Sequence, residues 1–441
     1  MWRVCRTYLL QQSINWKKIL MRNMKIKVFP NEPLVDEKLL ITISGLEPSQ
    51  EVTVKCSLTE AKSCFSSSAC FTATSKGDVH IHKQPSELGT YIGIDSMGLF
   101  WSMKADPGQE PGQRYFKRDI TTPQLVQISV YNGYHSWEAC HNLTITPIFS
   151  HELERWFMSK TVTRKEIRHG NLRGSLFIPQ GSGPFRGVID MFGTAGGLIE
   201  FRAALLASRG FIAYALPYFG FEDLPKEFSE INFDYLKETV DWFSSHPNVA
   251  KDGIGMIGVS KGGEIALMLA TKCPQIKAVV NINGPPFCSS YPLGPFTDVV
   301  EMDLEGMVFK EEGMYMKNIY SKSFTADKIL KVWESNAKIL YIVGEDDQSV
   351  DPNFAQVLLD CYPQEHRHKL IIQRYDNAGH LIEPPYNPIC HVSYHKVFRT
   401  VFVWGGRTEE HAKAQADSWP KILAFLISAL RNTTDTLNSH L

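Results

Sequence analysis

Residues 254–268 set a glycine-flanked serine between an apolar strand and a helix, an order that few chain geometries accept. Ile254-Gly255-Met256-Ile257 reads as a buried strand, Gly258-Val259-Ser260-Lys261-Gly262 follows it, and Gly263-Glu264-Ile265-Ala266-Leu267-Met268 reads as a helix. A G-x-S-x-G in that setting is a tight strand–turn–helix, because small flanking residues let the two elements approach and leave the serine oxygen exposed. Such a turn needs a sheet around it, and apolar runs supply one: Gly187–Met191, Ile212–Leu216, Lys277–Ile282, Lys338–Val343 and Lys369–Arg374. Helices are predicted over Leu198–Ser208, Asp234–Ser245, Gly262–Thr271 and Trp419–Leu430, and a hairpin, Val162–His169 with Leu172–Phe177, leads in. Buried strands alternating with helices imply a mostly parallel sheet covered on both faces.

At 441 residues and 49.9 kDa the chain exceeds one ordinary core, so two domains are expected. Upstream of the parallel-sheet region the rhythm differs. Leu39–Ile43, Val52–Cys56, Val79–His82 and Gln127–Tyr131 alternate with a period of two and are broken by turn residues, which suggests an all-β sandwich. The expected division is an N-terminal extension over 1–24, a β-sandwich over 25–150, a hinge near Ser150–Ser159, a catalytic domain over 158–431 and a polar tail over 432–441.

A nucleophile elbow predicts an acid and then a histidine, each just after a later strand. Gly344-Glu345-Asp346-Asp347 follows the strand Lys338–Val343, and Asn377-Ala378-Gly379-His380 follows Lys369–Arg374. Asp347 is favoured as the acid, with Asp346 as its rival, since one of two adjacent aspartates can serve the turn instead. Oxyanion donors are expected from the backbone amide of Lys261 and from the loop Phe192-Gly193-Thr194-Ala195-Gly196-Gly197, in particular Gly193 and Thr194. That glycine loop does not fit G-x-G-x-x-G, so a dinucleotide reading fails.

Other constellations are thin. His391 and His395 have metalloprotease spacing, but Val392 stands where a glutamate is needed. His80/His82 and His366/His368 would share a face if extended, without an evident third ligand. Met302, Met307, Met314 and Met316 read equally as the lining of an apolar channel or as filler under a cap. Nine cysteines, scattered without a C-x-x-C pair, suggest reduced thiols and an intracellular setting, in which the sequons at Asn142 and Asn432 carry little weight. Lys+Arg at 46 against Asp+Glu at 47 argues against a nucleic-acid binder that relies on a broad basic face. The apolar run Ile422–Leu430 is about half of what a bilayer span requires.

The two ends point to different compartments. Residues 1–31 carry basic but no acidic side chains, with Leu9, Leu10, Ile14 and Ile19 roughly on one helical face, as in an organellar transit peptide; the plainer readings are a flexible tail, or an upstream extension ahead of a real start at Met21 or Met24. Ser439-His440-Leu441 resembles the S-K-L address that a peroxisomal import receptor reads.

The serine, acid and histidine motifs together resemble the acyl-CoA thioesterase/bile acid-CoA:amino acid N-acyltransferase family. The resemblance covers nearly everything after Met24 and rests on Gly258–Glu264, Val343–Asp347 and Gly379–Tyr386, with Trp404-Gly405-Gly406 and His411, Gln415 and Trp419. It implies an α/β-hydrolase domain preceded by an all-β, immunoglobulin-like sandwich, and it maps the triad to Ser260, Asp347 and His380. It also implies an acyl-CoA substrate, with coenzyme A as part of that substrate and no metal or redox cofactor. Hydrolysis to a free fatty acid and CoA is the first expectation, because an acyl-serine is an oxygen ester that favours amines less than an acyl-cysteine does. Transfer to glycine or taurine is the alternative, and an inactive acyl-CoA-binding protein or a generic carboxylesterase comes after it. Peroxisome is the favoured compartment, with mitochondrion and cytosol as alternatives; the oligomeric state is left open.

Overall fold

The computed structural model of the chain describes residues 24–141 and 144–430. The basic N-terminal stretch up to residue 23, both sequons and Ser439-His440-Leu441 therefore lie outside the described residues. Two compact units emerge: Met1–Glu110 with Tyr115–Trp156 and Tyr386–Ile389, and Pro111–Arg114 with Phe157–Pro385 and Cys390–Leu441.

The first unit consists of two antiparallel sheets. One holds β1 (Lys25–Phe29), β2 (Leu40–Ser44) and β5 (Val79–His80), with β2 in the middle. The other has β3 (Glu51–Glu60) and β7 (Gln124–Asn132) at its centre, flanked by β4 (Ser63–Thr72), β6 (Lys104–Ala105) and β8 (Phe149–Arg155). The stretch read as a hinge at 150–159 is largely strand β8, paired along β7, so the unit runs to Trp156. Strand β4 is absent from the sequence reading because its buried core, Ser66-Ser67-Ser68-Ala69-Cys70-Phe71, shows serines where alternation looks for apolar residues. The Ser67 hydroxyl donates to the Leu99 carbonyl and that of Ser66 to Asp106, so these two hydroxyls are buried with acceptors.

The second unit is built on an eight-stranded sheet. Its strands in chain order are β9 (Thr163–His169), β10 (Leu172–Ile178), β11 (Phe185–Met191), β12 (Ile212–Ala215), β13 (Val249–Val259), β14 (Ile276–Ile282), β17 (Lys338–Gly344) and β18 (Leu370–Tyr375). In space they run β18-β17-β14-β13-β11-β12-β10-β9, parallel from β18 to β12, with β10 and β9 antiparallel. The helices are α1 (Phe201–Ser208), α2 (Phe233–Ser245), α3 (Lys261–Ala270), α4 (Asn353–Cys361) and α5 (Thr408–Ala429). This is the α/β-hydrolase arrangement. After β11 the chain adds β12 on one side and β13 on the other. That reversal opens a crevice at the carboxyl ends of the strands, where sites form in such sheets.

Several boundaries differ from the sequence reading. Helix α5 starts at Thr408 rather than Trp419, because its first half is polar and yet buries His411, Ala412, Ala414 and Gln415. His366 and His368 lie on a 3-10 helix, Gln364–Lys369, and not on an extended segment. A small sheet of β15 (Val308–Lys310), β16 (Gly313–Tyr315), β19 (Val392–His395) and β20 (Thr400–Val403) had no counterpart in the sequence reading. No helix among the described residues is long and apolar enough to cross a membrane.

Candidate active site

Ser260 sits between β13 and α3 at φ 55°, ψ −127°, a conformation that a non-glycine residue holds only when its surroundings enforce it. Its amide donates to Ile282 O at 2.9 Å, and its carbonyl accepts from the Gly263 and Glu264 amides, so the turn is fixed from both sides. The flanking glycine is required on steric grounds: a Cβ on Gly258 would lie 2.2 Å from the backbone of Gly262.

Asp347 and His380 follow β17 and β18, two neighbouring strands separated from the serine's strand β13 by β14. His380 follows β18; its Nδ1 lies 2.7 Å from Asp347 Oδ2, and both side chains are almost fully buried. The other carboxylate oxygen of Asp347 accepts from the Ser349 and Val350 amides at 2.7 and 2.9 Å. Asp346, its rival in the sequence, turns the other way and accepts from the Gly406 amide and the Gln348 side chain. The structure thus sets Asp347, not Asp346, against the histidine. With Nδ1 committed to the carboxylate, Nε2 is the nitrogen left for proton exchange.

The surroundings of His380 give the late sequence motifs a physical role. Its ring stacks on Trp404 at 5.4 Å and 14°, and its amide donates to Trp404 O at 2.8 Å. His411 accepts from the Gly379 amide through Nδ1, and its Nε2 donates to Leu381 O, both at 2.9 Å. Burial pushes the His411 pKa down to about 4, so the ring is a neutral brace. Asn283 went unnoticed in the sequence, although it heads an Asn-Gly turn just after β14. Its Oδ1 accepts from the Gly344 amide, and its Nδ2 donates to the carbonyls of Gly379 and His380, tying the acid-bearing strand to the histidine loop.

The loop after β11 reaches the serine at Gly193, where an added Cβ would stand 2.9 Å from Ser260 Cβ. Thr194 Oγ1 lies 3.2 Å from His395 Nε2. Lys261 begins α3, where the first amides of a helix have no partner within it. Its side chain does something the sequence did not suggest: Nζ pairs with buried Glu264 at 2.6 Å and donates to Ser289 O at 2.8 Å. Burial pushes the Glu264 carboxyl up, against the pull of Lys261 and Ser289.

Ser260 opens onto a cavity of about 40 Å³. Its lining combines the polar groups of Glu264, Ser289 and Tyr320 with the apolar side chains of Phe398, Phe402, Met302 and Met316. Met302 and Met316 line the cavity; Met314 and Met316 belong to the buried core, and Met302 and Met307 pack against it. The histidines of the rejected metal reading are engaged elsewhere: His391 with Gly405 O and Thr408 Oγ1, and His395 with Thr194.

Comparison with known proteins agrees with this architecture. Residues 36–169 match the acyl-CoA thioester hydrolase/BAAT N-terminal region, and residues 231–432 match the BAAT/acyl-CoA thioester hydrolase C-terminal domain. Acyl-coenzyme A amino acid N-acyltransferase 2 of Mus musculus is 37% identical over 90% of this chain and 95% of its own. Bile acid-CoA:amino acid N-acyltransferase of Mus musculus is 37% identical over 91% of this chain and 97% of its own. Acyl-coenzyme A thioesterase 1 of Homo sapiens is 34% identical over 92% of this chain and 96% of its own. With both halves matched and full-length relatives on either side of the hydrolase–transferase divide, the chain belongs to the acyl-CoA thioester hydrolase/BAAT family.

Proposed function

We propose that this protein is a serine-dependent acyl-CoA thioesterase that releases a carboxylic acid and CoA through an acyl-serine. The observation that carries the reading is a serine held in a strained elbow at the carboxyl edge of the sheet, with the His380–Asp347 pair after β18 and β17 at the same edge. In this scheme His380 Nε2 takes the Ser260 proton as Oγ attacks the thioester carbonyl. The tetrahedral oxyanion rests on the amides of Lys261, Gly193 and Thr194, and the C–S bond breaks as the CoA sulfur leaves with a proton from His380. Water then gives its proton to His380 and attacks the acyl-serine. The acid departs, and Ser260 recovers its proton. Asp347 keeps the imidazole in one tautomer throughout, and no step calls for a metal or redox cofactor.

Transfer to an amino acid is the second reading, favoured by the N-acyltransferases at 37% identity. There, a small amine replaces water in the last step and the product is an amide. The deciding experiment offers purified protein a long-chain acyl-CoA with and without glycine or taurine, and Ser260→Ala serves as the control. Free acid regardless of amine is the expected product, and an amide would transfer the assignment to the second reading. Ser260→Ala is expected to lower CoA release by ~10⁴-fold or more; full residual activity would remove the acyl-serine from the scheme. The peroxisome is the proposed compartment, supported by the peroxisomal succinyl-coenzyme A thioesterase of Mus musculus at 34% identity. A fluorescent fusion should co-localise with a peroxisomal marker, and a mitochondrial or cytosolic signal would overturn that placement.

A further inference from the structure

We propose that Tyr218 is a positioning residue for the oxyanion hole, holding two successive peptide units so that their amides converge on the serine. The inference rests on the acyl-serine reading above. Tyr218 lies in the segment that follows β12 and is buried. This segment is laced to the loop after β11. The Leu216 amide donates to Asp190 O at 3.0 Å, the Gly197 amide donates to Phe219 O at 2.9 Å, and between these two bonds stands the Tyr218 hydroxyl. It donates to the carbonyl of Phe192 and also reaches that of Gly193, at 3.1 Å. The tyrosine is anchored in turn: the Tyr235 hydroxyl donates to Pro217 O at 2.9 Å.

Peptide geometry gives those contacts their meaning. The Phe192 carbonyl shares a planar trans peptide with the Gly193 amide, and the Gly193 carbonyl shares one with the Thr194 amide; in each unit the N–H points opposite the C=O. In an extended strand, consecutive carbonyls point to opposite sides. Here one hydroxyl reaches both carbonyls, so they lie on a common side, and both amides are left facing away from Tyr218. Two consecutive amides on one side form a nest suited to an anion. Gly193 brings this nest to the nucleophile, since a Cβ added there would lie 3.4 Å from Ser260 Oγ. Tyr218 meets these peptides at their carbonyl oxygens, on the side away from the amides, and acts through them.

The test is Tyr218→Phe, which keeps the ring and removes the hydroxyl. With an acyl-CoA substrate kcat should fall ~100-fold while KM stays within about twofold, the mark of an interaction used in the transition state. Affinity for a trifluoromethyl ketone analogue, which forms a tetrahedral adduct with the serine, should fall by a similar factor. Affinity for the thioether analogue, which has no carbonyl to attack, should not change. A kcat and ketone affinity within threefold of the wild type overturn the proposal. So does a parallel loss of affinity for both analogues, which would mark a purely structural residue. Should the variant not fold, the wild-type protein answers through NMR of its labelled Gly193 and Thr194 amides, which should move downfield when the ketone binds; unmoved amides overturn the proposal. Ser260→Ala separates the two levels. Retained CoA release there brings down the acyl-serine reading and this inference with it, whereas a dead Ser260→Ala beside an unimpaired Tyr218→Phe brings down the inference alone.

Discussion

His380 and His411 are both sealed from solvent, at 1% and 0% exposure, yet the structure gives them different partners. His380 faces a carboxylate through Nδ1, a partner that stabilises the imidazolium when a proton arrives on Nε2. The two ring nitrogens of His411 meet backbone, the Gly379 amide on one and the Leu381 carbonyl on the other. Those two groups flank His380, so the second histidine braces the loop that carries the first. Burial alone makes His411 a neutral strut; the proposed chemistry asks for a base, and of the two only His380 has a buried carboxylate beside it.

The largest expected effect removes the charge that distinguishes the two sites. Asp347→Asn retains shape and hydrogen-bonding capacity but can hold His380 in the wrong tautomer, and it should lower kcat by ~10⁴-fold with little change in folding. Steady-state CoA release, measured with circular dichroism as a check on the fold, decides the matter. A loss below tenfold would mean that His380 does not depend on a charged partner, and the contrast with His411 would collapse.

A second prediction sharpens the other half of the comparison. His411 titrates near 6.5 when exposed and at about 4 in the folded protein, with burial as the leading cause. The folded state therefore binds its proton less readily than the unfolded chain. The stability this lends is fully present above about pH 6.5 and is lost as the pH falls towards 4. The span corresponds to roughly 2–3 kcal/mol. His411→Gln offers the Gly379 amide and the Leu381 carbonyl similar partners without a titrating ring. Its urea midpoint should decline less between pH 6.5 and 4.5 than that of the wild type. Equal slopes would show that His411 is not what the acid limb reports. His395, likewise pushed down to about 4 by burial, contributes in the same direction and remains in both proteins.

How much of this was legible in the sequence differs between the same two histidines. Ser260, Asp347 and His380 each follow an apolar strand in a fixed order, and chain order together with hydrophobic runs is what a sequence displays well. The braces follow no such rule. His411 stands in the sequence only as a mark of the family resemblance, and nothing local indicates that it is buried against Gly379 and Leu381. Asn283 is an ordinary turn residue until two strands are placed side by side. Tyr218 reads as one aromatic residue among several after β12, and its acceptors lie more than twenty residues earlier in the chain. In the first unit the serine-rich β4 hides for a related reason, because its burial depends on acceptors supplied from elsewhere. Periodicity reports which face of an element is apolar, and it is silent about polar groups satisfied at a distance.

The smallest predicted effect concerns the aspartate that the sequence could not separate from Asp347. Asp346 accepts from the Gly406 amide at 2.9 Å and from the Gln348 side chain at 2.7 Å. Gly406 follows Trp404, the residue that stacks on His380, so Asp346 supports the histidine's neighbour rather than the histidine. In Asp346→Asn one carboxylate oxygen becomes an amide nitrogen. The side chain can still present its carbonyl oxygen to Gly406 but cannot serve both donors. The loss of one charge-assisted bond corresponds to ~1–2 kcal/mol, and kcat should remain within about fivefold of the wild type. Thermal unfolding and CoA release, measured together on the Asp346 and Asp347 variants, test the pair. If Asp346→Asn proved as inactive as Asp347→Asn, the loop geometry around Gly405-Gly406 would have to enter the chemistry directly. The division between a base and its braces would then fail at its closest point.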